Sequence, residues 1–200
     1  LSNGHVLLEG VPGVAKTITA KLLSKTLNIG FSRIQFTPDL MPSDILGTSI
    51  FNLKNSEFEF KKGPIFSNLI LIDEINRAPA KTQAALFEVM EERQITSDGS
   101  RYQLETPLLV IATQNPIEQE GTYRLPEAQL DRFMFAVKLE YPSFEEEVQV
   151  VKRTTSDVKT TINPLFTAQE IIDFQHLIRR IPVADNVIEY AVTLVSKTRP

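Results

Sequence analysis

Near the start of the chain, Gly10-Val11-Pro12-Gly13-Val14-Ala15-Lys16-Thr17 combines glycines, a lysine and a hydroxyl in one short run. That combination suits a phosphate. Glycines let the backbone turn tightly and bring several N–H groups onto one point, and a following helix turns its positive end toward an anion. Lys16 would sit over the β- and γ-phosphates of a nucleotide. Thr17 would hold Mg²⁺ through its hydroxyl, and Ile18 carries the loop into the helix. Ala15 stands where the strict pattern has its second glycine. Alanine tolerates right-handed helical dihedrals but not a positive φ, so Ala15 is expected to be helical already, leaving Gly13 to take any unusual angle. Taken alone, the run also reads as a Gly-Pro turn before a helix with an ordinary exposed lysine.

A second chemical feature is Asp73-Glu74, which closes the apolar run Leu69-Ile70-Leu71-Ile72. Beside a phosphate loop, Asp73 can bind Mg²⁺ through water, and Glu74 can orient and deprotonate the water that attacks a γ-phosphate. Without the loop, the pair would be a solvated strand end. Asn115 follows another apolar run, Leu108–Ala112, by way of Thr113 and Gln114. It could hydrogen-bond the γ-phosphate and the attacking water, but Asn before Pro116 is also an ordinary loop starter. Arg132 ends the stretch Leu125–Arg132. From there it would reach the phosphates of a neighbouring chain more easily than its own, and an arginine supplied in trans stabilises charge on the transferring phosphoryl group. A surface ion pair is the plain alternative, and Arg77 and Arg124 are rival candidates.

The elements that must position these residues follow from alternation. Apolar runs at His5–Glu9, Ser32–Thr37, Leu69–Asp73, Pro107–Thr113 and Met134–Leu139 read as strands. Helical patterns fit Val14–Leu27, Pro79–Glu92 and Pro126–Arg132. Strand and helix in turn predict an α/β fold with a parallel sheet, whose ligands bind at the C-terminal strand ends. Ile50–Lys61 and Gln94–Leu104 break the ladder as hairpins, the second turning at Ser97-Asp98-Gly99-Ser100. After Tyr141-Pro142-Ser143 no convincing strand remains. Phe144–Thr155, Thr167–Arg180 and Ala184–Lys197 read as helices, with a capping box at Thr167–Glu170. The division is therefore a nucleotide-binding core over 1–142 and a partial all-α lid over 143–200. Both ends look cut, so the chain reads as a piece of a longer protein.

Composition narrows the class. Lys+Arg is 21 against 25 Asp+Glu, for a net charge of −4; hydrophobic residues make up 42% and charged residues 23%. That fits a globular protein and argues against disorder and against a general nucleic-acid coat. The absence of cysteine excludes disulfides, thiolate metal sites and a Cys nucleophile. No run approaches a membrane span and no signal peptide opens the chain, so a cytoplasmic location is expected. His5 reads as structural, His176 as surface, and Glu145-Glu146-Glu147 as a solvated helix face. Phe51, Phe58 and Phe60 either grip a client or pack on the domain body.

Together, Gly-Val-Pro-Gly-Val-Ala-Lys-Thr, Asp-Glu-Ile-Asn-Arg-Ala, Ala-Thr-Gln-Asn-Pro and Leu-Pro-Glu-Ala-Gln-Leu-Asp-Arg-Phe resemble, in order, the motifs of the MoxR family of AAA+ ATPases, densely over residues 4 to about 140. The resemblance implies a P-loop core holding ATP at Gly10–Thr17, where alanine at position 15 is familiar. It implies Mg²⁺ coordination by Asp73, a catalytic Glu74, a sensor Asn115 and an arginine finger at Arg132. Ile50–Lys61 becomes the insertion within the second helix that marks this branch. Members form rings, usually hexamers, and act as chaperone-like machines that mature or assemble client complexes, often with a partner carrying a von Willebrand factor A domain. The family's second sensor arginine lies beyond Arg199, and the helix that normally precedes the first strand is absent. Two other functions stay open: an ATP-dependent assembly scaffold with little hydrolysis, and a nucleic-acid remodelling motor.

Overall fold

A computed structural model describes residues 2–10, 15–115, 122–155 and 162–199. Five strands form one parallel sheet: β1 (His5–Gly10), β2 (Phe31–Gln35), β5 (Leu69–Asp73), β8 (Leu109–Gln114) and β9 (Phe133–Leu139), in the order β2-β5-β8-β1-β9. All four pairings run parallel. Helices α1 (Lys16–Thr26) and α3 (Ala80–Glu92) cover the sheet's two faces. Ile70 and Ile72 pack with Leu86, Phe87, Val89 and Met90 of α3, whereas Leu69 and Leu71 pack with Ala20 and Leu23 of α1. This two-sided cover explains why β5 is apolar without alternation and fully buried from end to end.

The sequence reading placed these five strands and two helices, with edges shifted by a few residues. Among the described residues a short 3-10 turn at Ile75–Arg77 and the helix α2 (Pro42–Leu46) escape it; for α2 the reason is its length. Five residues are too few to show a helical period. Its signals were Pro42 in the first turn and Asp44, whose carboxylate accepts the Met41 N–H at 2.9 Å. Another reading is corrected. The expected helix Pro126–Arg132 shrinks to one turn, α4 (Glu127–Leu130), so Arg132 lies beyond it on the link to β9.

The two hairpins are β3 (Gly47–Asn52) with β4 (Glu57–Lys62), and β6 (Gln94–Ser97) with β7 (Ser100–Gln103). Asp98 and Gly99 both take positive φ, 51° and 76°, as a two-residue hairpin turn requires. The hairpins touch: the Phe60 and Tyr102 rings stack with centroids 4.2 Å apart, and Ser49 donates to Asp98. Phe60 therefore packs on the body, while Phe51 and Phe58 pair edge to face and stay exposed.

Three helices follow: α5 (Phe144–Thr154), α6 (Ala168–Arg179) and α7 (Asp185–Ser196). The capping box at the start of α6 forms, with the Thr167 N–H on Glu170 Oε2 at 2.8 Å and the Glu170 N–H on Thr167 Oγ1 at 3.3 Å. Ser143 and Glu146 build a second box on α5. Glu145, Glu146 and Glu147 are exposed in the first turn of α5, and His176 is exposed on α6.

His5 is structural. Its buried ring accepts the Val110 N–H at Nδ1, 3.1 Å away, and hydrogen-bonds the backbone of Met90, tying β1, β8 and α3 together. Burial lowers its pKa from 6.5 to about 4; the Met90 bond opposes this, and Arg93 adds to it. Between these two values the unfolded chain binds the proton and the folded chain does not. Stability from the neutral ring is thus complete above pH 6.5 and lost as pH falls toward 4, by about 3 kcal/mol in all. Urea unfolding between pH 7 and 4 is expected to show that decline, and His5→Leu to remove this part of the slope.

Candidate functional site

The sheet order decides which residues meet. β8 lies between β1 and β5, so the end of β1, the acidic end of β5 and the polar end of β8 share one edge. A cavity of about 430 Å³ opens there, lined by Gly10, Ala15, Lys16, Thr17, Ile18, Arg33, Gln35, Asp73, Glu74, Thr113 and Asn115. Eight of these (Gly10, Ala15, Lys16, Thr17, Ile18, Asp73, Glu74 and Asn115) are singled out from sequence. Val11, Pro12, Gly13 and Val14 lie outside the described residues. Arg132 does not line the cavity.

Gly10 is demanded by packing. A Cβ there would lie 2.5 Å from the Leu139 carbonyl oxygen of the neighbouring strand. Ala15 departs from expectation. It sits at φ 57°, ψ 19°, in the left-handed region, and the right-handed helix begins only at Lys16. The sequence reading leaves any unusual angle to Gly13, which lies outside the described residues. The cost of a methyl at positive φ is about 1 kcal/mol, small enough for the loop to absorb. The Lys16 ammonium donates to the Gly10 carbonyl at 2.9 Å. Burial holds its pKa below the usual lysine value, and the charges of Asp73 and Glu74 work the other way.

The carboxylates are densely partnered. Asp73, buried at the end of β5, accepts from Arg33 Nε at 2.6 Å. Glu74 also adopts a left-handed conformation, φ 57° and ψ 51°. Its N–H donates to the Thr113 hydroxyl at 3.0 Å, and its carboxylate takes Gln35 Nε2 at 2.9 Å and Arg77 Nε at 3.0 Å. A non-glycine residue held in that region next to reactive groups is a common mark of a working site. Arg77, a rival for the arginine finger, is thus engaged with Glu74 of its own chain. Arg124 is exposed.

Arg132 is held at a distance from the cavity by its own chain. It pairs with Glu91 at 2.7 Å, donates to the Ala128 carbonyl at 2.7 Å and lies over the Phe87 ring. The alternative of a surface pair therefore has a named partner, and about a third of the arginine side chain stays exposed.

Arg33, Gln35 and Thr113 were missed from sequence. Arg33 and Gln35 lie two apart on β2, so they share one side of the strand. That alternation was readable; which strand would lie beside β5 was not. Gln83 was also missed. It is fully buried on α3, and its amide reaches the carbonyls of Ile75, Ala78 and Tyr123 at 3.1–3.2 Å.

A loop from the first strand to a helix, an acidic strand end and a polar neighbouring strand on one edge of a parallel sheet define a P-loop nucleotide-binding α/β protein. The sequence model of the ATPase family associated with various cellular activities (AAA) matches residues 5–135. YeaC of Bacillus subtilis is 50% identical over 200 residues, covering 100% of this chain and 62% of its own length. Chaperone MoxR1 of Mycobacterium tuberculosis is 47% identical, covering 100% and 52%. A crystal structure from Cytophaga hutchinsonii superposes with a TM-score of 0.88 at 47% identity, covering 99% of this chain and 60% of that one. The chain belongs to the MoxR family of AAA+ ATPases. It spans between half and two thirds of the length of these relatives.

Thr113→Val keeps the shape and removes the hydroxyl that accepts the Glu74 N–H. Urea titration is expected to show a loss of about 1–3 kcal/mol, the cost of an unpaired buried donor; an unchanged midpoint would mean that this bond does not hold the Glu74 turn.

Proposed function

We propose that the chain binds Mg²⁺-ATP at this edge and hydrolyses it as a subunit of a ring, driving chaperone-like maturation or assembly of client proteins. The observation that carries the reading is the convergence of Lys16, Thr17, Asp73, Glu74 and Asn115 on one cavity. Next to it, a groove of about 1030 Å³ shares Ala15 and is lined by Leu139, Tyr141, Pro142 and Val150. Its apolar residues would take the base and ribose, beside the Glu140, Glu145, Glu146, Glu147 and Arg153 side chains that also line it, with phosphates reaching into the smaller cavity. The groove lies between residues of 1–142, read as the nucleotide-binding core, and α5 of 143–200, read as part of a helical lid. Among the described residues no helix is long and apolar enough to cross a membrane.

Backbone N–H groups at the start of α1 and the Lys16 ammonium would hold the phosphates, the lysine exchanging the Gly10 carbonyl for phosphate oxygen. Thr17 and Asp73 would hold Mg²⁺; the hydroxyl and carboxylate are the hard oxygen donors that this ion takes alongside phosphate and water. When bound, the ion neutralises charge on the phosphates. Glu74 orients the attacking water and accepts its proton, and Asn115 hydrogen-bonds the water and the γ-phosphate. Arg132 of one subunit would stabilise the transferring phosphoryl group on its neighbour. In that role it exchanges Glu91 for the neighbour's phosphate. That role needs a neighbouring subunit, and a homo-oligomeric ring, usually hexameric in the family, would provide one. Likeness to a protein named a chaperone supports the client-directed role, and a von Willebrand factor A domain partner and a cytoplasmic setting belong to the same reading.

Lys16→Ala is expected to abolish nucleotide binding in calorimetry. Glu74→Gln should keep ATP and lower turnover by about 10²–10⁴. Arg132→Ala should lower it by about 10³–10⁵, and mixing with Lys16→Ala subunits should restore part of the activity. Mixed rings that form and stay inactive would defeat the trans assignment.

A further inference from the structure

One group in the cavity has no part in the mechanism above. Arg33 Nε lies 2.6 Å from Asp73 Oδ2, on the carboxylate assigned to the metal. Its neighbour in the cavity, Gln35, takes a long contact of 3.4 Å from Arg33 Nη2 and turns its own amide to Glu74. Both residues come from β2, which pairs with β5 in the register Arg33 with Leu71 and Gln35 with Asp73.

The two ends of the ion pair differ in freedom. The Arg33 side chain is 51% exposed and that of Asp73 12%. The carboxylate is fixed at a strand end, whereas the guanidinium sits on a long stem with open solvent beside it. An N–H donor on Oδ2 takes one of the acceptor positions that a hard cation or its bound water would use, and two cations on one carboxylate repel each other. The guanidinium and a divalent ion therefore compete.

We propose that Arg33 is an internal counter-ion that holds Asp73 in the absence of metal, yields it to Mg²⁺, and thereby sets the metal concentration at which nucleotide binds. This rests on the reading of Asp73 as a metal ligand. Arg33 acts through Asp73 and is a positioning residue.

The test is a Mg²⁺ titration on the full chain at a fixed concentration of a fluorescent, non-hydrolysable ATP analogue. Arg33→Gln should lower the half-saturating Mg²⁺ concentration by roughly 2- to 10-fold, the range for a partly exposed, charge-assisted pair, and leave analogue affinity at saturating Mg²⁺ unchanged. Arg33→Lys, which keeps the charge and loses the Nε contact, should shift it less. A half-saturation point that is unchanged or higher in Arg33→Gln overturns the proposal. So does weaker analogue binding at saturating Mg²⁺, which would make Arg33 a phosphate ligand. If Asp73→Asn titrates like the parent chain, or the parent shows no metal dependence, the metal reading itself fails and the counter-ion role fails with it.

Discussion

Two adjacent carboxylates at the end of a wholly buried strand are the constraint around which this molecule is arranged. Removing a carboxylate from water is costly unless positive charge or hydrogen-bond donors replace the lost hydration. Asp73 and Glu74 obtain them from three directions: Arg33 and Gln35 on β2, the Thr113 hydroxyl on β8, which donates to Asp73 Oδ1 at 3.5 Å, and Arg77 one turn downstream. Lys16 contributes charge from the loop side. Three cationic side chains thus surround two carboxylates in a cluster that still opens onto a cavity.

The parallel sheet makes this arrangement possible. In parallel strands every carboxyl end faces the same edge, so β1, β5 and β8 deliver their terminal residues together. Cover on both faces lets the strands be apolar throughout, which places the first polar residues where the strands end. Gly10 marks how tightly β1 and β9 approach at that edge. The left-handed angles at Ala15 and Glu74 fall at the two turns where chain direction changes within one residue of the reactive groups.

Much of this was legible in the sequence because each signal was local. Apolar runs with polar exits gave the strands, the period of Ala84–Met90 gave α3, and Asp98-Gly99 gave a hairpin turn. What was not legible depends on pairing between distant segments. Arg33 looked like an ordinary charged residue on a strand until β2 was laid beside β5. Arg132 could be placed near the last strand, but Glu91, 41 residues earlier, had no visible link to it. The left-handed Ala15 departs for a different reason: alanine's intrinsic preference gives way at the position just before the helix begins.

Helix α3 joins the two parts of the molecule that the proposed reaction needs. Near its start, Gln83 gathers the carbonyls of Ile75 and Ala78, just after Glu74, and that of Tyr123, on the segment leading to Arg132. Tyr123 returns its N–H to the Asn76 carbonyl at 2.6 Å. Further along the helix, Phe87 and Glu91 hold Arg132 itself. The turn carrying the acid and the segment carrying the arginine are thus fastened to one rigid element.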